Sequence, residues 1–209
     1  MRDFSLYVIL DRALQKGRSH LEVAREAILG GATVIQLREK NLATRAMFEE
    51  ALELRKLTRE LNTLFIVNDR LDVALAVSSD GVHLGEEDLP VDAAKRVAPD
   101  LIIGCSCDTV ERARELERLG ADYLGVGTVF PTVTKKDAGE PIGLSRLKEI
   151  KQVVSIPVVA IGGINLSNLD AVLSTGVDGV AVVSAIVGAD SVFEAASAFR
   201  KKIDSWRKK

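Results

Sequence analysis

The sequence predicts an α/β protein closed into a (β/α)8 barrel of parallel strands, and three observations predict it. Eight short runs rich in β-branched residues alternate with longer stretches of helical period. The 209 residues allow each of eight strand–helix units about 26 positions, with no Pro/Ser-rich linker between them. Four times a small residue stops a helix and a Thr or Asp leads into the next strand: Gly31-Ala32-Thr33, Ser79-Asp80-Gly81, Gly120-Ala121-Asp122 and Gly176-Val177-Asp178. Such tight connections, joined to strands that are apolar on both faces, belong to a parallel sheet flanked by helices. Eight units favour closure into a TIM barrel over an open sheet, with residues 1–209 as a single domain.

The strands are expected at 4–10, 33–38, 63–68, 80–84, 101–106, 122–127, 157–161 and 178–184. Between them, Met47, Ala51, Leu54, Leu57 and Leu61 keep the three-or-four spacing of an amphipathic helix. Asp108-Thr109-Val110-Glu111 resembles a capping box, and Gly120 ends the helix it opens. Asp190 is expected to cap the last helix, with Val192, Ala196, Phe199 and Ile203 on its inner face.

Charge narrows the function classes. A net charge of −2 with both signs interspersed offers no basic stripe for nucleic acid, and Trp206-Arg207-Lys208-Lys209 reads as a frayed, solvated tail. No apolar run reaches the roughly 18 residues of a membrane span, and the first residues carry no secretory pattern. A cytoplasmic address is therefore expected, with Cys105 and Cys107 as reduced structural thiols. Composition leaves the oligomeric state open, a homo-oligomer included.

The second strand carries the strongest chemical signal. In Val34-Ile35-Gln36-Leu37-Arg38-Glu39-Lys40, alternation sends Ile35 and Leu37 toward the helices and Gln36, Arg38 and Lys40 into the barrel, rising toward its mouth. An amide and two cations in file are costly to bury unpaired. They suit an anion such as a diphosphate, or else an internal ion-pair network with carboxylates of neighbouring strands. Asn68-Asp69 closes the third strand, and Asp88 follows the fourth in Gly85-Glu86-Glu87-Asp88. Two aspartates at adjacent strand ends can hold Mg²⁺ against a diphosphate; the other reading of Asp69 is a helix cap. Glu86, Glu87 and Asp72 are expected to be solvated or capping.

The loop after the sixth strand, 128–139, carries hydroxyls, Lys135 and Lys136, and suits a lid over a phosphorylated substrate. Gly162-Gly163 and Ser184 follow the seventh and eighth strands, where barrels commonly bind phosphate. Ser106 shares its parity with Gly104 and is expected to face inward. His83 has inward parity too and reads first as a satisfied core residue, while His20 is expected to be exposed at the start of the first helix. No Ser/His/Asp constellation and no zinc spacing is present. This inventory suits stabilising a departing anion while the substrate supplies the nucleophile.

Taken together, Gln36-Leu37-Arg38-Glu39-Lys40, Asn68-Asp69, Gly85-Glu86-Glu87-Asp88, Gly104-Cys105-Ser106, Pro131-Thr132-Val133-Thr134-Lys135-Lys136-Asp137, Gly162-Gly163 and Val183-Ser184 resemble the thiamine-phosphate synthase family over nearly the whole chain. The resemblance implies a barrel enzyme of thiamine biosynthesis with two phosphorylated small-molecule substrates, joining a pyrimidine diphosphate to a thiazole phosphate with release of pyrophosphate. It implies that Gln36, Arg38, Lys40, Asn68, Ser106 and Lys135 hold the pyrimidine diphosphate, with Arg38, Lys40 and Lys135 catalytic. Asp69 and Asp88 would bind Mg²⁺, and Thr132, Val133, Thr134, Gly163, Val183 and Ser184 would receive the thiazole phosphate. Glu86 departs from the Gln usual in the family, which adds a charge near the metal site. Competing readings are a thiazole tautomerase-like sister barrel, a sugar-phosphate isomerase or epimerase, and a non-catalytic sensor of thiamine phosphate.

Overall fold

A computed structural model describes residues 2–132 and 140–208. Eight parallel strands close into a barrel in chain order: β1 Leu6–Leu10, β2 Val34–Leu37, β3 Leu64–Asn68, β4 Gly81–Leu84, β5 Ile102–Cys107, β6 Tyr123–Val126, β7 Val158–Ile161 and β8 Gly179–Val182. The helices are α1 His20–Leu29, α2 Thr44–Glu60, α3 Leu71–Ala76, α4 Val91–Val97, α5 Val110–Arg118, α6 Gly143–Val153, α7 Leu169–Leu173, α8 Ser184–Val187 and α9 Val192–Arg207. The short α8 was not expected from the sequence. Among the described residues no helix is long and apolar enough to cross a membrane.

Strand alternation divides the apolar residues into two cores. Ile35 and Leu37 join Val8, Val67 and Leu124 beneath the helices, where Met47, Ala51, Leu54 and Leu57 of α2 and Val192, Ala196, Phe199 and Ile203 of α9 meet them. Tyr7, Ile9, Val34, Ile66, Ile102, Tyr123 and Val159 fill the barrel, with Phe4 among them.

The four-fold sequence repeat proves to be a set of struts at the N-terminal ends of the strands. Asp80 Oδ2 accepts the Phe65 N–H at 2.8 Å and takes Arg55 of α2 at 2.7 Å. Asp122 Oδ2 accepts the Ile103 N–H at 2.7 Å and Lys95 of α4 at 2.6 Å. Asp178 Oδ2 accepts the Val158 N–H at 2.7 Å and Lys151 of α6 at 2.6 Å. In the first unit Thr33 Oγ1 accepts the Leu6 N–H at 3.2 Å. Each residue before an even strand thus ties back to the preceding odd strand. Three of the four also anchor the helix in front of it.

Local expectations shift where long-range partners intervene. Thr109, not Asp108, caps α5, accepting from the Arg112 N–H. Ser191 caps α9, while Asp190 takes Lys16 at 2.6 Å. The basic tail is not frayed through its length: α9 continues to Arg207, whose Nη2 donates to the Asp178 carbonyl at 2.6 Å.

Candidate active site

The C-terminal ends of the strands enclose one cavity, lined on β1–β6 by Tyr7, Ile9, Gln36, Asn68, His83, Ser106 and Tyr123, with Arg38 just beyond β2. Gln36 is buried, and its Nε2 donates to the Tyr7 hydroxyl at 2.7 Å. Arg38 Nη1 donates to Asp11 Oδ2 at 2.8 Å, and Lys40 Nζ stands 4.0 Å from Asp69 Oδ2. The row Gln36, Arg38, Lys40 therefore runs from the barrel interior to its rim, as alternation requires. The ion-pair reading has a foothold in the same contacts, since each cation has a carboxylate beside it.

Asp69 and Asp88 come together. The Asp69 backbone takes φ +61 and donates its N–H to the His83 carbonyl at 2.8 Å, while Asp88 Oδ2 accepts the Gly85 N–H at 2.6 Å. Burial and then a hydrogen bond and like charge from Asp88 push Asp69 up to about 6, against the pull of Lys40 and Arg38. Two carboxylates held in contact beneath two cations form a donor set of the type hard divalent cations take. The capping alternative for Asp69 falls: Arg70 occupies the N-cap of α3, with no side-chain cap bond. Glu86 and Glu87 are exposed, and Asp72 pairs with Arg70 at 2.6 Å.

On the opposite wall, Gly162, Gly163, Val183, Ser184 and Thr132 line the cavity. Gly162 and Gly163 take φ +103 and +65, and added Cβ atoms would lie 2.6 Å from Thr128 Cγ2 and 2.7 Å from the Pro131 carbonyl oxygen. These glycines therefore also let the loop after β6 pack against the end of β7. Val133, Thr134 and Lys135 lie outside the described residues.

His20 is not exposed. It is 4% accessible, and its Nε2 meets Glu39 Oε1 at 2.6 Å and Glu50 Oε2 at 3.7 Å. These three side chains could hold a metal ion, but Arg12 already lies against both carboxylates, donating to Glu39 at 3.0 Å and also to Glu50. Cys105 and Cys107 are buried and free, and burial pushes both thiols up to about 12, as inert thiols require.

Sequence reasoning missed Asp11, Tyr7 and Tyr123 as site residues and undervalued His83. His83 lines the cavity, with Nδ1 2.9 Å from the Tyr123 hydroxyl and Nε2 2.9 Å from Ser106 Oγ. Tyr7 and Tyr123 have inward parity, but an aromatic in a strand reads first as core. For Asp11 a signal was present: Asp11-Arg12 reverses the charge order of Arg38-Glu39 on the neighbouring strand.

Comparison with known proteins shows the family of the chain. A family model described as thiamine monophosphate synthase matches residues 6–186. A thiamine-phosphate synthase of Chloroflexus aurantiacus is 53% identical over 99% of this chain and 96% of its own length. One of Pyrococcus furiosus is 56% identical over 95% and 94% respectively. The solved structure of thiamine phosphate pyrophosphorylase from Pyrococcus furiosus superposes with a TM-score of 0.92 at 53% identity, covering 98% of each chain. A 3-hexulose-6-phosphate synthase at 17% identity and TM-score 0.70 shares the fold alone.

Proposed function

The chain belongs to the thiamine monophosphate synthase family of thiamine-biosynthetic enzymes, and from that premise we propose that it condenses 4-amino-2-methyl-5-(diphosphooxymethyl)pyrimidine with thiazole phosphate. The products are thiamine phosphate and pyrophosphate, and residues 1–209 act as one catalytic domain. The observation that carries this reading is the convergence of Arg38, Lys40 and the Asp69–Asp88 pair on one rim of the cavity.

In this reading Arg38, Lys40 and Lys135 hold the diphosphate and stabilise the negative charge it gains as the carbon–oxygen bond breaks. The pyrimidine-methylene cation left behind is attacked by the thiazole ring nitrogen, which forms the new carbon–nitrogen bond. The bond electrons leave with pyrophosphate, so no protein nucleophile is required. Asp69 and Asp88 would hold Mg²⁺, and their enforced contact, which raises the proton affinity of Asp69, fits a divalent ion at the same place. When bound, Mg²⁺ would supply further charge neutralisation to the diphosphate. Gln36, Asn68 and Ser106 orient the pyrimidine ring. Thr132, Val133, Thr134, Gly163, Val183 and Ser184 receive the thiazole phosphate on the facing wall.

Incubation with both substrates and Mg²⁺ should release pyrophosphate only when both are present. Release from the pyrimidine diphosphate alone would indicate a hydrolase. Absence of release would favour the tautomerase-like, isomerase or sensor readings.

A further inference from the structure

Four hydrogen bonds cross the barrel interior along the cavity wall in an unbroken line. Gln36 Nε2 donates to the Tyr7 hydroxyl at 2.7 Å, which meets the Tyr123 hydroxyl at 2.9 Å. Tyr123 meets His83 Nδ1 at 2.9 Å, and His83 Nε2 meets Ser106 Oγ at 2.9 Å. All five residues line the cavity, with Gln36 and Ser106 at the two ends of the line.

The strands make room for it. A Cβ at Gly104 of β5 would overlap the Tyr123 ring, and one at Gly125 of β6 would lie 2.8 Å from His83 Cε1. Tyr7 and Tyr123 are 2% and 1% exposed. Burial raises both phenols well above their usual range, so each keeps its proton and must place it.

The direction of the line follows from its first member. An amide N–H can only donate, so the Tyr7 oxygen accepts from Gln36 and gives its own proton to Tyr123. Tyr123 then donates to His83 Nδ1, which must be bare, and the ring proton sits on Nε2, donating to Ser106. Ser106 is left with its hydroxyl proton for a ligand, and Gln36 with its carbonyl oxygen. Were the amide reversed, every bond in the line would reverse with it.

We propose that Tyr7, Tyr123 and His83 are positioning residues that make the hydrogen-bonding character of Gln36 and Ser106 interdependent, so that the cavity selects a ring edge offering a donor toward Gln36 and an acceptor toward Ser106. A 4-aminopyrimidine has such an edge, an exocyclic N–H beside a bare ring nitrogen; this application rests on the function proposed above, whereas the relay rests on geometry alone.

The chain has two histidines, so ¹⁵N-histidine labelling of the full-length protein reads the His83 ring directly, with His20→Gln assigning the other signal. The unmodified protein should show Nδ1 bare and Nε2 protonated; a proton on Nδ1 would overturn the proposal without any variant. In Gln36→Glu the carboxylate can only accept, and Nδ1 should gain a proton. An unchanged ring would sink the coupling. In the double variant Tyr7→Phe/Gln36→Glu the line is cut and Nδ1 should be bare again, whereas a proton persisting there would mean the carboxylate acts through space.

Binding is then compared by calorimetry for the 4-amino pyrimidine diphosphate and its 4-oxo counterpart, which exchanges donor and acceptor. The amino compound should bind at least about tenfold more tightly, as one charge-neutral hydrogen bond reversed would give. Tyr7→Phe should reduce that preference; full retention would refute the selective role. Binding of neither compound would count against the proposed substrate, while the ring spectrum still decides the relay.

Discussion

Arg38 and Asp11 project from the mouth ends of adjacent strands, and Arg38 Nη1 donates to Asp11 Oδ2 at 2.8 Å. One residue further along each strand the polarity is inverted, with Arg12 donating to Glu39 at 3.0 Å. Arg38 lines the cavity and the outer pair faces His20 and α2. Asp11 thus fixes the Arg38 guanidinium on one face of the strand pair, while Arg12 ties the same two strands on the other. A fixed guanidinium loses less entropy on gripping an anion than a free one.

Asp11→Ala should therefore lower kcat/KM for the pyrimidine diphosphate by about tenfold, the worth of one charge-assisted hydrogen bond. Asp11→Asn, which keeps an acceptor, should fall between. Steady-state kinetics check this; an unchanged kcat/KM would mean that substrate aligns Arg38 unaided.

The aspartate pair predicts opposed effects on stability and activity. The Asp69 carboxyl lies at about 6 in the folded protein against an ordinary 3.8, so its contribution to stability is full below about 3.8 and lost as pH rises through about 6. Asp69→Asn removes that loss, and Asn also tolerates the left-handed backbone that Asp69 adopts at φ +61. In EDTA at pH 7.5 the variant should melt about 2–4 °C higher than the parent, corresponding to about 1 kcal/mol, and should not melt higher at pH 4. If Asp69 holds Mg²⁺ as proposed, pyrophosphate release with Mg²⁺ should drop at least about tenfold in the variant. Lower thermal stability at pH 7.5 would contradict the charge argument.

Asp122→Ala or Asp178→Ala strips a strut, leaving a backbone N–H and a lysine without their acceptor. Each should cost about 1–3 kcal/mol in urea unfolding, with KM for both substrates unchanged because the struts sit at the end of the barrel away from the cavity. A raised KM with unaltered stability would reverse this assignment.

Gly104→Ala should lose activity by crowding Tyr123. Overpacking of this kind costs about 1–3 kcal/mol, and circular dichroism with kinetics separates displacement of the ring from failure to fold.

The barrel was legible because strands buried on both faces and helices buried on one write different periods into the chain, and Met47 through Leu57 or Val192 through Ile203 show the second plainly. Strand beginnings were not. Thr33, Asp80, Asp122 and Asp178 look like first strand residues, whereas their side chains turn back to a neighbouring strand's N–H. Caps failed where two suitable residues adjoin, as at Asp190-Ser191, since only tertiary contacts decide which is used. In the site, the inward parity of Gln36 and Arg38 could be read from one strand. His20 could not, because Glu39, 19 residues away, brings it into the interior.

The struts leave one end of the molecule rigidly specified by backbone-directed bonds that involve none of the cavity-lining side chains. Selection for a new ligand can therefore redraw the loops at the other end piece by piece, without each trial having to rediscover how to stay closed. An engineer grafting foreign loops onto this scaffold would do well to leave Arg55, Lys95 and Lys151 and their three aspartates untouched.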